Sequence, residues 1–115
     1  MTAKYWQTGE VLDYKASAAV KNGEVVSLGT RIGVAGEDIA AGETGHLHAV
    51  GVFEVEKATG AMTMEAAVFY DEAATKITTV ASTGESPSKV NNIPAGYAAA
   101  PAASADETVL VKLLG

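Results

Sequence analysis

His46 and His48 are the residues of this chain best spaced for chemistry. On a β-strand, positions two apart share a face, so both imidazoles would point the same way. That arrangement suits a metal ion or a proton relay. A third ligand would have to come from Glu54 or a loop carboxylate. The chain has no Cys and no further His, so a zinc site lacks its usual donors. The plainer reading is two solvent-facing histidines on the polar side of a half-exposed strand, with no metal.

Other chemistries are served no better. No serine sits in the Gly-x-Ser-x-Gly elbow of a hydrolase nucleophile. Gly29-Thr30-Arg31-Ile32-Gly33 lacks the Lys-Ser/Thr ending of a phosphate loop, and turn glycines explain it. The acidic pairs Glu37-Asp38 and Asp71-Glu72 lack the spaced ligands of a calcium loop and read as solvated turns. The expectation is a protein that is not an enzyme, with no catalytic residues and no cofactor.

Composition narrows the partners. The chain has 115 residues, enough for one compact domain. Its 14 acidic and 8 basic residues give a net charge of -6. The basic residues are scattered singly and Arg31 is the only arginine, so no basic stripe is available to neutralise phosphates. Nucleic acid is therefore not an expected partner. No apolar run approaches the roughly 20 residues of a membrane-spanning helix, so no membrane is expected either. Met1 to Gln7 carries no apolar core of a secretory signal, which predicts synthesis and retention in the cytosol of the producing cell.

The elements that would position these residues read as strands. Alanine is abundant, at 22 residues, but it is interleaved with Gly, Thr and Val rather than with long straight-chain helix formers. Val11 to Tyr14 is a first strand. Asn22-Gly23 is a tight-turn signal. Val25 to Leu28 and Arg31 to Ala35 flank the two-residue turn Gly29-Thr30, which predicts a hairpin. Thr44 to Val55 is the longest strand. Leu47, Ala49, Gly51, Phe53 and Val55 occupy one face and His46, His48, Val50, Val52 and Glu54 the other. Gly51 in mid-strand suggests a bend or bulge.

Val68 to Tyr70 and Lys76 to Val80 read as a second hairpin around the turn 71–75. Ser82 to Asn92 is polar and reads as an exposed loop. Gly96 to Ala99 is short and apolar, and Thr108 to Leu113 closes the chain. Ile39-Ala40-Ala41-Gly42 and Ile93-Pro94-Ala95-Gly96 form a weak internal echo. About eight short strands separated by Gly, Pro and Asn predict an all-β fold, a small single-domain barrel or sandwich over residues 11–115. An extended N-terminal segment, residues 1–10, precedes it. That segment holds Tyr5-Trp6-Gln7, with the only Trp. An aromatic pair at a terminus must pack on its own domain, on a neighbouring copy or on a partner. Tyr5, Trp6 and Gln7 are therefore the candidate interface residues.

The run from Tyr5 to Tyr14, YWQTGEVLDY, resembles the start of a phage and prophage family of head decoration, or cement, proteins, some of which carry a recombinase-like label. The likeness continues through Gly23 to Val26, Ile32 to Ala35, Ile39 to Gly45, Gly51 to Val55, Val68 to Asp71 and Val109 to Leu113. The segment from Gly42-Glu43-Thr44-Gly45 to Gly51-Val52-Phe53-Glu54 is its most specific part. The recombinase label finds no support, since nucleotide loop and basic surface are both missing. The resemblance implies a β-rich body that assembles as a homotrimer on the outer surface of the phage major capsid protein lattice and stabilises the head. It also implies an N-terminal segment that reaches a capsid strand or a neighbouring subunit. Its location would be the virion, after synthesis in the host bacterial cytoplasm. The alternative is a non-catalytic β-module for a ligand such as a host-surface glycan, with Ser82 to Asn92 and Tyr97 as its face.

Overall fold

Strand-forming alternation and turn glycines produce eleven strands in a computed structural model that describes residues 1–83 and 90–114. They are β1 (Val11–Lys15), β2 (Val25–Ser27), β3 (Ile32–Ala35), β4 (Thr44–His48), β5 (Val50–Glu56), β6 (Ala67–Asp71), β7 (Lys76–Thr78), β8 (Ser82–Thr83), β9 (Val90–Asn91), β10 (Ile93–Ala98) and β11 (Thr108–Leu114). Among the described residues there is no helix. The fold is all-β, as the alternation predicts.

Two antiparallel sheets carry the fold. The first has the order β1-β4-β3-β2, the second β5-β11-β10-β6-β7, and β8-β9 form a separate ribbon. The second sheet curls until β7 meets the end of β5 through one parallel bridge, Lys57 with Ile77. Beyond that bridge β5 and β7 are not paired among the described residues, so the barrel stays open and the arrangement fits a sandwich.

The larger core is built from the inner face of the second sheet. Val68, Tyr70, Ile77, Val109, Val111 and Leu113 are all buried there, and Ile32 and Val34 of β3 reach it from the first sheet. The opposite face of β3 belongs to a smaller core, with Ala35, Val26 and Leu47 covered by Ala16, Val20 and Ile39 from the loops. Both faces of β3 are therefore buried, which explains its unbroken burial. Alanines occupy the tightest places: Ala16, Ala35, Ala95 and Ala98 are buried where larger side chains would force the layers apart. Their abundance reflects thin cores rather than helices.

The strand count exceeds the expected eight for two reasons. The single strand expected over Thr44 to Val55 breaks at Ala49, and the chain passes from the first sheet to the second. Gly51, at φ 131°, lies just past this corner and supplies a backbone that other residues rarely adopt. The expected face is kept across the break: Leu47 packs in the small core, Phe53 and Val55 against the large one. The other reason is that the expected loop Ser82 to Asn92 has paired ends, β8 and β9. Asn92 is buried, and its side-chain amide donates to Val80 O at 2.9 Å. The middle of that segment, 84–89, lies outside the described residues.

The two halves of the internal echo are not equivalent. Ile39 forms an isolated bridge with Val20 ahead of a turn, whereas Ile93 to Gly96 lies within β10. Residues 1–9 have no regular secondary structure, and all but Gly9 are exposed. The radius of gyration is 15.1 Å, against roughly 13 Å for a compact chain of this length. The exposed N-terminal residues contribute to that excess.

Candidate functional site

Tyr5 and Trp6 are 81% and 82% exposed and belong to neither core. The Tyr5 hydroxyl and Thr8 Oγ1 lie 3.4 Å apart, a local contact that leaves both rings in solvent. Gln7 is exposed beside them. A large aromatic surface held in water is costly, at about 25 cal/mol per Å² of apolar area. Among the described residues neither ring packs on the chain's own body.

Immediately after these residues the chain enters β1, an edge strand. Among the described residues β1 pairs only with β4, from Val11 opposite His48 to Lys15 opposite Thr44. Leu12 and Tyr14 turn inward while Val11, Asp13 and Lys15 stay exposed. The arm is therefore anchored at its root by a regular ladder and free beyond Gly9, whose φ of 82° marks the turn-off.

His46 and His48 share a face of β4, as their spacing predicts, but they meet different neighbours. His46 lies between two carboxylates, with Nε2 3.8 Å from Asp13 Oδ1 and Nδ1 3.5 Å from Glu37 Oε2. His48 packs its ring on Phe53 at a centroid distance of 5.8 Å. A Cβ at Gly36 would come within 2.9 Å of His48 Nε2, so the absence of a side chain there makes room for the imidazole. Among the described residues no three His, Asp or Glu side chains converge to hold a metal ion.

The acidic pairs are turn supports. Asp38 Oδ1 accepts from Asn22 N at 2.8 Å and ties one loop to the Asn22-Gly23 turn. Asp71 Oδ1 accepts from Ala74 N at 3.2 Å within the β6–β7 connection. Among the described residues Tyr70 is the one whose titration is clearly displaced. Burial raises its phenol above the ordinary value of 10.0, and the charges of Glu72, Glu24 and Asp71 push the same way.

Three features escape a reading by residue type. Lys57 is buried, at 4% exposure, and its Nζ donates to the main-chain oxygens of Ala58, Ser104 and Asp106 at 3.1, 3.4 and 3.2 Å. The outer face of the second sheet shows Val52 and Leu110, 53% and 40% exposed, with Lys112 Nζ 5.9 Å from the centre of the Tyr97 ring. A cavity of about 570 Å³ opens between β5, β7 and the residues leading into β2. Strand alternation places Val52 on the outward face, but it does not say which strands become its neighbours.

A family model described as phage cement protein matches residues 6–113. No curated protein and no solved structure matches the chain. The matched span begins at Trp6 and takes in every strand but the last residue of β11.

Proposed function

This chain belongs to the phage cement protein family, and we propose from that premise that it is a structural capsid protein of the virion that binds the outer surface of the major capsid lattice and stabilises the head. The observation that carries the contact is the N-terminal arm. Tyr5 and Trp6 stand in solvent on a segment rooted in an edge strand. Residues 1–10 act as the arm and 11–115 as the body. Tyr5, Trp6 and Gln7 cover their rings and amide on a capsid subunit or on a second copy of the chain.

The body assembles as a homotrimer made in the host bacterial cytoplasm, and many copies clamp neighbouring capsid subunits, so avidity replaces a single tight site. The arm is tested by removing residues 1–9 and mixing the truncated protein with undecorated heads. Co-sedimentation is expected to fall at least about tenfold, since aromatic anchors of this kind carry 2 kcal/mol or more at interfaces. The circular dichroism of the body is expected to stay unchanged. Undiminished binding by the truncated protein contradicts the arm's role.

A further inference from the structure

Among the described residues β5 is an edge strand, and its outward main chain is unpaired ahead of the Lys57–Ile77 bridge. The hydrogen bond from Lys57 N to Glu107 O, 3.0 Å, fixes the phase of its ladder with β11. In an antiparallel ladder alternate residues turn their N–H and C=O toward the partner strand. Phe53 and Val55 therefore bond to β11, while Val52 and Glu54 present their N–H and C=O to the open side. Natural edges of this kind are usually covered, twisted away or blunted, because they template pairing with another chain. Here β7 closes only the far end, at the Lys57–Ile77 bridge.

The surroundings of this edge are acidic. Glu24, Glu54 and Glu56 line the cavity beside it, with Lys76 the one base. A second hollow of about 280 Å³ continues along the same strand and shares Gly23, Glu54 and Val55 with the first. Two β5 edges brought together would set the glutamates of both copies against each other, which disfavours self-pairing through this edge.

We propose that the open edge of β5 accepts an extended, basic segment of the capsid lattice by strand addition. Its main chain would bond to Val52 and Glu54, and its Lys or Arg side chains would answer Glu24, Glu54 and Glu56. The identity of the partner rests on the capsid reading above. The chemistry of the site rests on the edge and its charge.

The test uses the full chain and a ten-residue fluorescent peptide alternating Lys with Thr and Val, followed by anisotropy. Glu54→Pro removes an N–H that the β11 ladder does not use, and so spares the fold while blocking the edge. The Lys peptide is expected to bind the unaltered protein, and at least about tenfold more weakly to E54P. The triple variant E24Q, E54Q, E56Q is expected to weaken binding about tenfold, at roughly twofold for each exposed charge pair. If E54P fails to fold, a Lys peptide with N-methylated main-chain amides tests the same bonds on the unaltered protein and is expected not to bind.

Equal binding of a Glu-for-Lys peptide, or equal binding by the variants, overturns the proposal. The same proteins are then mixed with undecorated heads. Heads decorated by the unaltered protein, with no peptide binding, overturn the edge proposal and leave the capsid reading standing. Peptide binding with bare heads contradicts the capsid reading instead. A changed mass of E54P in solution, with heads still decorated, assigns the edge to a second copy and likewise overturns the proposal.

Discussion

Lys57 falls on the inward side of the alternation, in line with Phe53 and Val55, and its ammonium donates there to three main-chain oxygens, those of Ser104, Asp106 and its neighbour Ala58. Buried lysines are rare unless their donors are used, and two of the three bonds here hold the connection into β11. Lys57→Met keeps the stem and removes the donor, leaving those oxygens poorly satisfied. Urea denaturation is expected to show a loss of about 1–3 kcal/mol. Tyr70 makes a prediction at high pH. Its folded pKa is raised, so its contribution is fully present below pH 10 and is lost as pH climbs through the folded value. The unaltered protein should lose stability above pH 10, and Tyr70→Phe should flatten that loss in thermal melts across pH 9–12. Parallel pH curves for the two proteins would contradict the assignment. At this scale the sequence was readable for His46 and His48, whose shared face follows from strand period. For Lys57 the strand period points inward and the residue type outward, and only the path of residues 104–106 supplies the oxygens that let a lysine be buried there.

The break at Ala49 decides the architecture at the level of elements. One continuous alternation feeds two sheets, so the inward face is legible in sequence while the change of sheet is not. Nothing in the period distinguishes a strand that continues from one that crosses a corner; Gly51 alone hinted at it. The hairpins β2–β3 and β6–β7 were legible because Gly29-Thr30 and the 71–75 turn announce themselves. The paired ends of β8 and β9 were not, since both strands are two residues long. The bulge in β10 is a further case. Its register with β6 shifts between Pro94 and Gly96. Gly96 has φ 142°, and a Cβ there would collide with Lys112 O. Gly96→Ala therefore combines backbone strain with a clash against a rigid carbonyl. It is expected to cost about 3 kcal/mol or more, read as a fall in melting temperature. Gly29→Ala, also at positive φ but with open space around it, should cost less. Equal losses would sink this account of the bulge.

For the whole molecule, two thin cores of small and β-branched residues make a body whose inner faces are satisfied, while an aromatic arm and an acidic sheet edge are left unmatched. On the proposed capsid reading, the lattice would cover both. The family and the all-β class were legible from motifs spread along nearly the whole chain. The edge of β5 was not, because an open edge is a property of sheet order. The most direct measurement of the central claim is the thermal disruption temperature of purified heads that lack this protein, taken with and without the purified chain added back. The account predicts a clear rise that saturates as the lattice fills. An unchanged disruption temperature at saturating protein would contradict it.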